Sequence, residues 1–282
     1  MNAKDFFITR ASLPVFALMV AAAFIPRLAH ADTTEWAQSE GGRMRVISLP
    51  ADANGRIDAV LQIDLKPGWI TYWREPGESG IPPTITLDKT SEASLASLSF
   101  PVPKLIKNDE IEDIGYDASV SLPFVLQSQP GSNSEKARLT AFIGVCLNIC
   151  IPFEAAFEID KGAEKTATQP EMDAIAAAKA TLPSPPTDDF RVENFHITPD
   201  KTLLGVNLRL PENSPKETDI FVAGPSGYAY FEPQNMVRDK RKLSFYMNIK
   251  GLPKSYNPRG QRWMILVKSG DQVMEASLEF PQ

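Results

Sequence analysis

The chain has 282 residues, a formal net charge of −6, 24 prolines, two histidines and two cysteines. That acidic balance excludes nucleic acid and anionic lipid as expected partners. Two histidines are too few for most multi-histidine metal sites, and they argue against a Ser-His-Asp or Cys-His catalytic machine.

The N-terminus reads as a leader rather than as part of a fold. Lys4 and Arg10 form a basic head, Leu13 to Ile25 is apolar, and Ala29-His30-Ala31 offers small residues to a signal peptidase. These features predict a secretory signal peptide over residues 1–31, cut before Asp32. The apolar run falls short of the ~20 residues that span a bilayer, and no later stretch is long or apolar enough. The exported remainder is expected to be soluble, without membrane insertion, in a compartment where disulfides persist. Cleavage also removes His30, which leaves His196 as the one histidine, and makes the remaining chain more acidic.

From Arg43 to about Asp160 the sequence consists of short alternating runs broken by Pro, Gly and Asn. Met44, Val46 and Ile47 begin a strand, and Pro50 to Gly55 is a turn. Ile57, Ala59, Leu61, Ile63 and Leu65 then alternate with Asp58, Val60, Gln62 and Asp64, the pattern of a half-buried strand. Trp69 to Arg74 reads as an aromatic-rich strand, followed by a long turn through Pro76-Gly77 and Gly80-Ile81-Pro82-Pro83. Further extended segments are expected at Thr84–Leu87, near Leu98–Phe100, at Ser119–Leu126 and at Arg138–Val145. Many short strands without helical periodicity predict an all-β antiparallel sandwich over residues 32–165.

Residues 170–182 differ. Pro170, the acids Glu171 and Asp173, an alanine-rich centre and Lys179 near the end predict one helix. Pro183, Pro185 and Pro186 stop it, so residues 166–186 read as a helix and linker between domains. Alternation returns after Phe190, in the rows Leu204 to Leu210, Leu243 to Ile249 and Met274 to Phe280. Residues 187–282 are therefore expected to form a second, smaller β-sandwich. His196 reads as an ordinary surface or hydrogen-bonded histidine, and the mixed run Arg238 to Lys242 as a solvated turn.

Chemistry concentrates in Gly144-Val145-Cys146-Leu147-Asn148-Ile149-Cys150-Ile151-Pro152. Leu139, Ala141, Ile143 and Val145 share one face, which puts Cys146 on the other. Beyond the pair, Ile151, Phe153, Ala155, Phe157 and Ile159 face inward, and Cys150 shares the outward parity of Glu154 and Glu158. A three-residue hairpin loop, with Asn148 able to take positive φ, would set the cysteines opposite each other on the outer face. Facing residues have Cα atoms about 4.5–5.5 Å apart, within reach of a disulfide. Pro152 suits an edge strand.

Two roles for such a bond stay open from the residues alone. It can staple the hairpin, or it can exchange with a partner's thiols. Closing so short a loop constrains the unfolded chain by only about 2 kcal/mol, little for a protein with its own cores. Two cysteines without a nearby histidine or methionine are too few ligands for a metal, and no cofactor is expected. With no Lys, Arg or His close in sequence, the thiols should be modest nucleophiles.

These residues also carry a resemblance. Gly-Val-Cys-x-x-x-Cys-Ile-Pro, after Trp69-Ile70-Thr71-Tyr72-Trp73-Arg74-Glu75-Pro76-Gly77 and Gly80-Ile81-Pro82-Pro83, resembles the N-terminal periplasmic domain of the DsbD and ScsB disulfide reductases, and in particular soluble DsbD-like proteins. The resemblance spans roughly residues 36–165. It implies an immunoglobulin-like sandwich in which Cys146 and Cys150 form a redox-active, catalytic pair. It also implies periplasmic thiol–disulfide proteins as partners, in the setting of cytochrome c biogenesis or copper tolerance. The family's cap loop would correspond to Asp109–Tyr116, with Ile114 and Tyr116 as the shield, although the family's Phe-Tyr-Gly is missing here. The cysteines are three residues apart rather than five. No membrane or thioredoxin-like domain follows, so a membrane reductase of the DsbD, ScsB or CcdA type acting in trans is expected to supply electrons. The alternatives are a partner-binding module with a structural disulfide, and a copper-handling protein.

Overall fold

The computed structural model describes residues 33–282, apart from 78–79, 109–110, 133, 163–165, 226 and 254. The predicted signal peptide lies outside the described residues. In the first sandwich the strands are, in chain order, Ala37–Gln38 (β1), Gly42–Ser48 (β2), Arg56–Leu65 (β3), Ile70–Tyr72 (β4), Thr84–Leu87 (β5), Ala93–Leu98 (β6), Lys104–Asn108 (β7), Ile111–Tyr116 (β8), Val120–Ser128 (β9), Lys136–Cys146 (β10) and Cys150–Asp160 (β11). One sheet runs β1-β2-β3-β9-β6. The facing sheet runs β11-β10-β4-β8-β7, with β5 pairing β10 beyond the end of β4. All pairs are antiparallel, and the inward rows predicted by alternation close one core that includes Met44, Leu61, Phe124, Ile143 and Ile159.

Several elements differ from the sequence expectations. The aromatic strand shortens to Ile70–Tyr72, because Trp73 and the residues after it leave the sheet and the chain turns at Gly77, whose φ is +100°. The segment expected near Leu98–Phe100 pairs earlier, as β6. Asp109–Tyr116, read as a cap loop, is largely strand β8, hairpinned with β7.

The helix, Gln169–Ala180 (α1), starts with a capping box between Thr168 and Glu171, and Pro170 lies in its first turn. It does more than link. Ile175 and Ala178 pack on Ile47 and Val60, which point out of the sandwich on the outer face of the first sheet. Val60 stands on the polar side of β3's alternation, yet it is fully buried because the helix covers it.

The second sandwich comprises Arg191–Ile197 (β12), Leu203–Arg209 (β13), Asp219–Ala223 (β14), Ala229–Tyr230 (β15), Pro233–Asp239 (β16), Lys242–Asn248 (β17), Arg262–Ser269 (β18) and Gln272–Glu279 (β19). Its sheets run β12-β13-β17-β16 and β15-β14-β18-β19 around Leu204, Val206, Phe245, Met247, Trp263 and Ile265. Alternate residues of β14 and β18 face the other way: Phe221, Ala223 and Leu266 join the core of the first sandwich. The Arg238–Lys242 run turns the chain between β16 and β17 at Lys240, φ 51°. His196 is exposed and meets the Tyr246 ring edge-on.

Candidate functional site

Strands β10 and β11 pair through eleven consecutive positions, from Lys136↔Asp160 to Cys146↔Cys150. The long, regular ladder fixes register, so the cysteines meet at its end with Cα atoms 4.2 Å apart, joined as a disulfide. Leu147, Asn148 and Ile149 form the tip. Leu147 and Ile149 are among the exposed large apolar residues of the protein. Asn148 is not among the residues with positive φ; the tip closes instead with a long Leu147 N–H to Ile149 carbonyl contact of 3.4 Å.

Alternation along β10 sends Leu139, Ala141, Ile143 and Val145 to the core, all 1% exposed or less, and Gly144 and Cys146 to the outer face. That face is not open. Strand β4 lies against the end of β10, with Ile70 opposite Cys146 and Thr71 opposite Val145. The Thr71 hydroxyl donates to the Gly144 carbonyl at 2.8 Å, pinning the two strands together. Tyr72, two residues beyond Ile70 on the same face, reaches back over the disulfide. Its hydroxyl oxygen is 2.7 Å from Cys146 Sγ and 2.9 Å from Cys150 Sγ. Disulfide sulfurs carry no proton, so Tyr72 is the donor to both.

The glycines of two sequence motifs make room for that ring. A Cβ on Gly144 would stand 2.7 Å from Ile81 Cβ and 3.1 Å from the Tyr72 ring, and one on Gly80 would stand 2.6 Å from Tyr72 Cδ1. Gly-Val-Cys and Gly-Ile-Pro-Pro thus meet in space around one tyrosine. Tyr72, Ile70 and Ile106 bury Cys146 to 5% exposure, whereas Cys150 is exposed. The pair is asymmetric, with one sulfur's residue covered and the other's facing solvent.

Neither expected shield residue takes that place. Strand β8 pairs β4 with Tyr72 opposite Gly115 and Thr71 opposite Tyr116. Period-two alternation therefore gives Gly115 and Asp113 to the cysteine face and sends Ile114 and Tyr116 into the core. Ile114 is fully buried there, and the Tyr116 hydroxyl donates to the Pro101 carbonyl at 2.9 Å. Asp109 and Glu110, the start of the expected cap, lie outside the described residues.

Electrostatics at the site favour neutral groups. Burial, with a smaller contribution from the Asp113 carboxylate, pushes the Tyr72 phenol well above its ordinary value, so it remains a donor. Asp113 is 7% exposed, and its Oδ1 has no hydrogen-bond partner among the described residues. Desolvation holds its pKa above the usual carboxylate range. Among the described residues, no cluster of three or more His, Cys, Asp or Glu is placed to hold a metal ion.

Sequence reasoning found the cysteines and missed Tyr72 and Asp113. The signal for Tyr72 was present in the aromatic strand, but its pairing with the cysteine strand joins residues 74 positions apart.

Comparison with known proteins fits this geometry. A family model described as thiol:disulfide interchange protein DsbD, N-terminal, matches residues 44–161. The crystal structure of the N-terminal periplasmic domain of ScsB from Proteus mirabilis superposes with a TM-score of 0.70 at 21% identity, over 89% of this chain and 98% of that one. At that identity the likeness establishes the fold, across both sandwiches. No curated protein matches the chain. Among the described residues no helix is long and apolar enough to cross a membrane.

Proposed function

We propose that this protein, whose residues 44–161 match the family model of the DsbD N-terminal interchange domain, relays electrons between periplasmic thiol partners through Cys146 and Cys150. The observation that carries the reading is the asymmetry of the pair: an exposed Cys150 bonded to a covered Cys146 under the Tyr72 hydroxyl.

A reduced partner's thiolate attacks Cys150 Sγ, the only sulfur of the two on an exposed residue. The Cys146–Cys150 bond breaks, its electron pair stays on Cys146 Sγ, and a mixed disulfide joins Cys150 to the partner. The Tyr72 hydrogen bond strengthens as charge develops on Cys146, because hydrogen bonds to ionised acceptors are roughly twice as strong as neutral ones. A second partner thiolate then attacks the partner's own sulfur and releases Cys150. The partner leaves as a disulfide, and the pair has gained two electrons and, from solvent, two protons. The reverse sequence passes both electrons to an oxidised acceptor. A membrane reductase of the DsbD type acting in trans is the donor class this reading favours, with periplasmic disulfide proteins as acceptors.

Single-cysteine variants test it. Cys146→Ala leaves Cys150 without its resolving thiol and is expected to accumulate mixed disulfides in periplasmic extract, while Cys150→Ala accumulates far fewer. The reading fails if neither variant traps a partner and the measured reduction potential lies far below that of periplasmic thiol carriers.

A further inference from the structure

Strand β4 is only three residues long, with two register pairs to β10 and two to β8. So short an element is weakly held by its own ladder, yet the Tyr72 hydroxyl must keep hydrogen-bond distance to two sulfurs, and such contacts fade within a few tenths of an ångström. The next three residues supply the missing anchorage, and each reaches the second sandwich. The Trp73 ring lies 6.2 Å from that of Phe221. The Arg74 guanidinium is 2.9 Å from the Glu275 carboxylate, with side chains only 23% and 18% exposed. Glu75 Oε2 accepts the Gly227 N–H at 2.8 Å.

The receiving surface is one row on one sheet face. Phe221 is opposite Leu266, and Leu266 is opposite Glu275, so three adjacent strands present these side chains together. On the near side, Trp73 is fully buried, its backbone N–H donates to the Ile114 carbonyl, and Arg74 lies over the Trp73 and Phe100 rings.

We propose that the second sandwich is a positioning element for the disulfide: the row Phe221–Leu266–Glu275 grips Trp73 and Arg74, and through them holds Tyr72 over Cys146 and Cys150. This inference rests on the exchange reading for its purpose, but the coupling itself is measurable in the isolated protein. Phe221 and Glu275 are positioning residues and touch neither sulfur. The Tyr72 hydroxyl favours the reduced pair through its Cys146 thiolate form, because it donates more strongly to a thiolate than to a disulfide sulfur, so the equilibrium is read at a pH where that thiolate is populated. Loosening the grip therefore shifts the equilibrium towards the disulfide.

The test is a double-mutant cycle on the full protein, reading the oxidised fraction in glutathione buffers. Tyr72→Phe is expected to shift the equilibrium about tenfold towards the disulfide. Glu275→Ala and Phe221→Leu are each expected to shift it about threefold in the wild-type background and less than ~1.5-fold in the Tyr72→Phe background. Glu275→Gln, which keeps the shape and a hydrogen-bond acceptor for Arg74, should restore most of the Glu275→Ala loss. Equal shifts in both backgrounds, or none in the wild-type background, overturn the proposal. If Glu275→Ala does not fold, Phe221→Leu carries the same cycle. Failure of the exchange reading looks different: no partner is trapped by single-cysteine variants, while the glutathione equilibrium still responds to these substitutions.

Discussion

The first sandwich has two outer faces that are each covered, and they are covered by different chemistry. On the β1-β2-β3-β9-β6 sheet, α1 lays Ile175 and Ala178 on Ile47 and Val60, an apolar contact whose four residues are all buried. On the other sheet the cover is a tyrosine hydroxyl over two sulfurs, with Cys150 left exposed and Asp113 buried nearby without a full set of partners. The first cover gains from every methylene it removes from water. The second retains polar atoms that a purely structural contact would have excluded, at a cost of roughly 1–3 kcal/mol for each buried group left unsatisfied. The helix face is a purely apolar seal, and the tyrosine face is where the proposed exchange would take place.

That contrast can be broken from either side. Ile175→Ala, which empties the helix face, is expected to cost about 2–4 kcal/mol in urea unfolding while leaving the glutathione equilibrium of the disulfide unchanged. A matching change in that equilibrium would dissolve the division of labour. Gly144→Ala forces a Cβ to 2.7 Å from Ile81 and against the Tyr72 ring. It should cost about 1–3 kcal/mol and, unlike the helix substitution, also move the redox equilibrium, because the displaced ring carries the hydroxyl.

The smallest effect sharpens the comparison by pH. Desolvation raises the folded-state pKa of Asp113, so folding binds its proton more tightly than the unfolded chain does. Its ionisation therefore costs nothing below the unfolded value near 3.8 and destabilises the fold progressively as pH rises from there through the raised folded value. Asp113→Asn should raise the urea midpoint at neutral pH and lose that advantage in acid. A midpoint difference that persists unchanged into acid would point to packing rather than charge.

The legibility of this molecule follows the range of its contacts. Alternation reads strands well where one face is dry and the other wet, as along β3 and β10. It is not what the expectation at β7 and β8 rests on: there the family resemblance implies a loop, with Ile114 and Tyr116 shielding the disulfide. Once the segment is a strand, parity turns those two residues into the core and puts Gly115 and Asp113 on the face that carries Tyr72. Val60 was legible only as an outward residue, because the helix that buries it comes more than a hundred residues later.

The sequence alone determined that Cys146 and Cys150 share an outward face and oppose each other, since they are four residues apart and period-two geometry propagates along a single hairpin. Only the tertiary structure decided that the two sulfurs are unequal. The Tyr72 contacts span 74 and 78 positions, and the Arg74–Glu275 pair that fastens the neighbouring segment spans 201. Such pairings depend on which strands become neighbours in a sheet and which sheets pack face to face. Those choices are made by the burial of whole surfaces, and no local pattern of side chains encodes them.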